Sequence, residues 1–247
     1  MPEKKQHHLF LSWLIFTCLL VFALFISWQG GYLSLMYAGD KSKISWIITL
    51  LYLYISMHCA WRIVTVSRQL NATQAVRSLI TSEQNLKFSD RDGKVVINNK
   101  DMLPKSLIAD YIHDLIHKYA TSRNEAETDN SNDNKDLIEV YESRLKGQHE
   151  IGWFVSDLMI KLGLLGTIVG FVLMLASVAN VTDFDVSSMQ SILKKMSTGM
   201  GTALYTTFAG LICSILTASQ YYMLDQAAEE ILETTKHLSQ VYVLPRL

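Results

Sequence analysis

The sequence predicts an all-α membrane protein. Four transmembrane helices are expected, with a cytoplasmic helical domain between the second and third and long helices extending from the third and fourth spans. Three observations carry this. Apolar residues make up 49% of the 247 positions, and mean hydropathy is positive at +0.18. Four apolar runs each reach the length of about 20 residues that a helix needs to cross the hydrocarbon core. A polar stretch with its own helical periodicity separates them into two pairs. The formal charge is near neutral at -1, and the lipid bilayer rather than a nucleic acid is the expected partner.

The runs cover approximately residues 9–28, 44–66, 153–179 and 196–223. Lys4 and Lys5 precede the first, as in a signal peptide. That run exceeds an h-region of roughly 7–15 residues, and no small-x-small cleavage site follows, so it is expected to be a retained span. Cys18, Cys59 and Cys213 all fall inside apolar runs, with no disulfide or metal-ligand spacing, and are expected as small buried apolar residues. An even number of spans puts both termini on one side. Lys4, Lys5, Arg62, Arg68, Arg77, Arg144 and Lys146 flank the spans on that side and assign it to the cytoplasm. Lys41, Lys43, Lys194 and Lys195 in the opposite loops weaken the bias.

Four segments follow: 1–66 as an N-terminal helix pair, 67–150 as a cytoplasmic insertion, 151–224 as a second helix pair and 225–247 as a cytoplasmic C-terminal helix. In the insertion, residues 67–86 continue the second span as helix. Asp92-Gly93 beside the β-branched Val95-Val96-Ile97 suggests a short hairpin. Pro104 opens a helix that carries Leu107, Ile108, Tyr111, Ile112, Leu115, Ile116 and Tyr119 at helical spacing. Residues 121–135, rich in Ser, Asn, Asp and Glu, read as a loop or disordered tip. A helix is expected to resume near Asp136 and run unbroken into the third span. Lys161 there is expected either to snorkel toward the cytoplasmic surface or to stand in wet surroundings where the helix projects below the membrane. A single helix is expected to continue from the fourth span through 225–240, with Ala228, Ile231, Leu232 and Leu238 on one side.

The third and fourth spans carry the most specific pattern. Gly163, Thr167 and Gly170 share a helix face, with Gly166 beside them. Small residues at this spacing form packing seams between membrane helices, and Gly163, Gly166, Gly170, Gly201 and Gly210 are assigned to packing. In the fourth span Thr198, Thr202, Thr206, Ala209 and Cys213 form a stripe that reaches Thr217 and Gln220. Thr207 lies about 100° around the helix from Thr206. One threonine can satisfy itself on the i−4 carbonyl. A row of them facing a glycine–threonine helix points to a narrow hydrated path lined by Thr167, Thr202, Thr206 and Thr207. No Asp or Glu lies deep in any span, and Asp157 stands near the entry of the third. An ion relay usually needs an intramembrane acid, so a second chain must supply it.

Leu162-Gly163-Leu164-Leu165-Gly166-Thr167-Ile168-Val169-Gly170 and Ala203-Leu204-Tyr205-Thr206-Thr207-Phe208-Ala209-Gly210-Leu211 resemble the two signatures of the MotA/TolQ/ExbB family of ion-channel motor subunits, over about residues 150–226. The resemblance implies an inner-membrane subunit with no cofactor that assembles as a pentamer around a dimer of a single-span MotB/TolR/ExbD-type partner. The partner carries the ion-accepting Asp, and ion flow drives rotation. The family's pore threonines correspond to Thr167 and Thr207. Thr202 stands where ExbB-like members carry a glutamate. Hydroxyl oxygens without that acid tilt the ion toward Na⁺, but H⁺ is favoured because the partner's Asp with water can carry protons. Four spans are MotA-like, whereas the motif spacing is nearer TolQ and ExbB.

Two other functions compete. Asp110, His113, Asp114 and His117 share a helix face, as a metal enzyme would need, but no H-E-x-x-H pattern accompanies them and a solvated polar face is the expectation. His58, within the second span, is expected as a packed neutral histidine. A non-conducting structural or sensor membrane protein is the second alternative, and the threonine stripe argues against it.

Overall fold

The structure is a computed structural model that describes residues 8–82, 88–91, 94–97, 101–102, 106–122, 130–179 and 186–246. Lys4, Lys5, the Asp92-Gly93 turn, Pro104 and the middle of the polar stretch 121–135 lie outside the described residues. The elements run α1 (His8–Gln29), α2 (Tyr32–Gly39), α3 (Ile44–Ser82), β1 (Phe88–Arg91), β2 (Lys94–Ile97), β3 (Asp101–Met102), α4 (Leu107–Ser122), α5 (Asn130–Lys146), α6 (Glu150–Ala179) and α7 (Val186–Leu238). A π-helical turn, Ser239–Val243, and a short 3-10 turn, Leu244–Arg246, end the chain, where Pro245 cannot continue an α-helix. Helices α1, α3, α6 and α7 are each long and apolar enough to cross a membrane, so this is a multi-pass membrane protein.

Several expectations change. The polar stretch 121–135 is helical at both ends, since α4 runs to Ser122 and α5 begins at Asn130. Asn130, Ser131 and Asp133 suit a helix N-terminus, where exposed N–H groups want acceptors and negative charge. The helix expected to run unbroken from Asp136 into the third span breaks after Lys146. Gly147 closes a turn onto Ser143 O (2.8 Å) and His149 N bonds Lys146 O (2.7 Å) before α6 starts. The hairpin of β1 and β2 sits where expected, antiparallel, with Ser89 opposite Val96, and β3 adds a third strand beside β2. Helix α2 occupies what was expected as a short loop.

One compact unit comprises Leu11–Ala60 and Glu150–Tyr222. Gly31 joins α1 to α2 at φ 74°, a left-handed turn that glycine adopts without a Cβ penalty. Asp40 then caps α3. Its carboxylate accepts from Ser42 N (2.9 Å), Ser42 Oγ (2.6 Å) and Ser45 N (2.8 Å). Burial pushes this carboxyl's pKa up, but the bonds from Ser42 and Ser45 together outweigh it and hold the pKa below the ordinary value. Tyr37 stacks on Trp46 with ring centroids 4.5 Å apart, and Trp28 and Tyr32 nearby are exposed, the aromatic enrichment expected at a membrane–water interface. Cys59 is buried, as expected of a small apolar residue, but Cys18 is exposed because no described residue of α1 within this unit is buried.

The other unit comprises Met1–Phe10, Trp61–His149 and Met223–Leu247. Its core joins Val76 and Ile80 of α3, Ile108, Tyr111, Ile112 and Leu115 of α4, Tyr141 of α5, and Leu238 and Val243 at the chain's end. Ser106 Oγ accepts from Ala109 N (3.3 Å) to cap α4, and Gln69 Oε1 accepts from Leu107 N (3.0 Å). Lys146 bonds Glu142 (3.0 Å) and Glu229 (3.4 Å), and Lys236 bonds Glu142 (3.3 Å). These bonds, that of Lys146 first, lower the Glu142 carboxyl pKa, and Glu142 raises that of Lys146.

Candidate functional site

The glycine pattern becomes a close approach of α6 and α7. A Cβ on Gly163 would stand 3.2 Å from Thr206 O and 3.3 Å from the Cα atoms of Thr207 and Gly210. On Gly166 it would fall onto the Thr206 side chain, and on Gly170 it would meet Ala203 N at 2.6 Å and Gly199 O at 2.7 Å. A Cβ on Gly210 would stand 2.7 Å from Met159 O. Such contacts are possible only where no side chain intervenes. Ser156 donates to Ser214 O (3.0 Å) further along the same seam.

Gly201 does not belong to it. An added Cβ there would meet only Tyr205 of its own helix, at 3.6 Å, and the seam glycine of that pair is Gly199. Helical spacing carries the signal that separates them: Gly199 is seven residues from Thr206 and shares its face, whereas Gly201 points away.

The threonine stripe divides. Thr202 and Thr206 are fully buried within one chain, which corrects their expected place on an open lining. Thr202 Oγ1 is shared between Gly39 O (2.9 Å) and Thr198 O (3.1 Å) and accepts from Lys41 N (3.4 Å), so it fastens α7 to the α2–α3 turn. Thr206 Oγ1 lies 3.0 Å from both Thr202 O and Ala203 O. Toward the other end Gln220 donates to Ser56 (3.3 Å), and His58, half-buried, pairs with the Tyr221 hydroxyl at 2.8 Å. The stripe is therefore covered by the same chain: Thr202 and Gln220 reach the α2–α3 turn and α3, whereas Thr206 lies against Gly166 of α6. Sequence periodicity marks a face but not what covers it.

Thr167 and Thr207 are different. Both are half-buried, on the flanks of the seam. Thr167 donates to Leu164 O, and Thr207 to Ala203 O (3.0 Å) and, across the seam, toward Gly163 O (3.3 Å). With the hydroxyl proton directed at a carbonyl, each oxygen still has lone pairs to offer a cation or a hydrated proton. Asp157 and Lys161 are exposed and paired one helical turn apart, so the lysine meets a carboxylate at the helix surface.

A protein-family model described as the MotA/TolQ/ExbB proton channel family matches residues 107–237, more than half of the chain. The chain belongs to this family. The match begins at α4, so it takes in much of the insertion as well as α6 and α7. No curated protein and no solved structure matches the chain. The family is one of proton channels rather than of enzymes. The α4 face considered for a metal is engaged otherwise: Asp114 accepts from the Tyr141 hydroxyl (2.6 Å) and lies 3.5 Å from His113 Nδ1. Among the described residues no group of three or more His, Cys, Asp or Glu gathers as a metal site would require.

Proposed function

We propose that this family member is the ion-conducting subunit of an inner-membrane rotary motor. Five copies surround a dimer of a single-span MotB/TolR/ExbD-type partner, both termini lie in the cytoplasm, and flow of H⁺ (Na⁺ being the alternative) is converted into mechanical work. The observation that carries this reading is the α6–α7 seam. Glycines bring the two helices together and leave Thr167 and Thr207 on its flanks with acceptor oxygens to offer. The lining is then Thr167 and Thr207, while Thr202 bonds α7 to the α2–α3 turn and Thr206 packs on Gly166. The spans contribute hydroxyls and no deep acid, so the titrating carboxylate comes from the partner. The bias of Arg and Lys supports the cytoplasmic placement of the termini.

The test is ion flux in liposomes. The subunit alone should be nearly silent and the complex with its partner should conduct. Thr167→Val and Thr207→Val should each lower flux by about tenfold or more with the assembly intact, since each removes an acceptor that the ion needs in place of water. Wild-type flux in both variants, or strong flux from the subunit alone, would sink the proposal.

A further inference from the structure

Outside the α6–α7 seam a buried histidine joins two half-buried charged groups, Arg62 and Asp225, for which the proposed ion path has no use. His149, in the turn between α5 and α6, is 1% exposed. Its Nδ1 is 2.7 Å from Asp225 Oδ1 on α7, and its Nε2 is 3.4 Å from a guanidinium nitrogen of Arg62 on α3. The same arginine nitrogen lies 3.4 Å from Leu145 O on α5. A guanidinium only donates and an ionised carboxylate only accepts. One form of the ring serves both neighbours: neutral, with Nδ1–H donating to Asp225 and the Nε2 lone pair accepting from Arg62.

We propose that His149 is a proton-operated latch, closed while its ring is neutral and opened when Nε2 takes a proton from solvent. Protonation replaces the lone pair with an N–H aimed at the half-buried guanidinium, so two donors and two positive charges face each other across a ring that is itself shielded from water. The contact with Arg62 must then open. The bond to Asp225 is kept and becomes charge-assisted. The event releases His149 from α3, where Arg62 keeps its bond to Leu145 O, and leaves the turn tied to α7. Histidine is the side chain whose charge changes most readily as pH falls through the physiological range.

Arg62 on α3 and Asp225 on α7 touch the ring. Lys146 and Glu142 on α5 and Glu229 on α7 engage one another, and Glu150 at the start of α6 is exposed. Asp225 favours the charged ring and Arg62 the neutral one, so removing either should act in opposite directions. The inference is independent of the ion path and would stand if that path failed.

Hydrogen–deuterium exchange on the full-length protein in lipid nanodiscs tests it, with intrinsic rates corrected for pH. Between about pH 8 and pH 5.5 the amides of residues 145–152 should come to exchange roughly tenfold faster, the equivalent of one pKa unit of differential interaction. His149→Gln should flatten this response. Arg62→Gln should reverse its sign, because an amide can accept from the protonated ring while the bond to Asp225 strengthens. A flat wild-type profile would overturn the latch, as would an unchanged response in His149→Gln or a wild-type direction in Arg62→Gln. If both variants fail to fold, the wild-type profile still decides: without acid-dependent opening in residues 145–152 the proposal falls.

Discussion

Two regions of this chain hold their helices together by opposite means. Around α4 the interior is built from large side chains: Tyr111, Ile108, Ile112 and Leu115 are almost wholly buried, with the Tyr111 ring edge-on to Tyr141 at 5.5 Å. Between α6 and α7 the contact is made by Gly163, Gly166, Gly170, Gly199 and Gly210, and large residues such as Leu164, Phe171, Leu204 and Phe208 point outward. The difference follows from the solvent. In water, removing apolar surface supplies the driving force, so large residues go inside. Among lipid tails that force is absent, and close backbone approach with its dispersion and hydrogen bonds replaces it. Large side chains then serve better facing the lipid.

The largest expected effect falls in the aqueous type of core. Tyr111 is fully enclosed and its hydroxyl lies 3.3 Å from Ser239 Oγ. Burial raises the Tyr111 hydroxyl pKa, so the group stays a neutral donor. Tyr111→Ala should destabilise this unit by about 3–5 kcal/mol, as other large-to-small aromatic changes do. Tyr111→Phe removes only the hydrogen bond and should lose about 1 kcal/mol. Denaturant unfolding followed by circular dichroism measures both. Equal losses in the two variants would mean that the hydroxyl, rather than the ring's bulk, organises this core.

At the seam the same logic inverts, and adding one methyl should do harm. Gly166→Ala places a Cβ on the Thr206 side chain. Overpacking of this kind costs about 1–3 kcal/mol. Gly201→Ala is the matched control. It meets only Tyr205, at 3.6 Å, and should be neutral or stabilising by up to about 1 kcal/mol, the helix-propensity gain of alanine over glycine. Unfolding titrations in mixed detergent compare the pair. Indifference at Gly166 would show that the seam is loose and would weaken its contrast with the α4 core.

How much of this was legible beforehand differs between the same two regions. The spans announced themselves by length, and Gly163, Gly166, Gly170 and Gly210 by spacing, because a helix converts sequence distance into direction directly. The orientation of Thr202 and Thr206 was not legible. A stripe of small polar residues looks the same whether it faces water or its own chain, and only the pairing of Thr202 with Gly39 O and the packing of Thr206 on Gly166 decide. The break at Gly147 escaped for a related reason. A lone glycine is tolerated inside a helix, and what fixes the turn is His149 reaching Asp225, a partner distant in sequence. The choice of Gly201 over Gly199 was a different kind of miss, since the spacing that separates them was there to be used.

The smallest effect sharpens the comparison most. Thr206→Val keeps the β-branched shape against Gly166 and removes only the hydroxyl. That hydroxyl donates to Thr202 O and Ala203 O of its own helix, carbonyls that the helix ladder also satisfies. No buried donor is stranded by the change, so the loss should be near the average of about 0.6 kcal/mol for side-chain bonds between membrane helices, or less. Detergent unfolding of the full-length variant reads it beside Gly166→Ala. If shape holds the seam, Thr206→Val stays well below Gly166→Ala. If the two losses are equal, the hydroxyl is a structural bond in its own right, and the seam is held by polarity rather than by close approach.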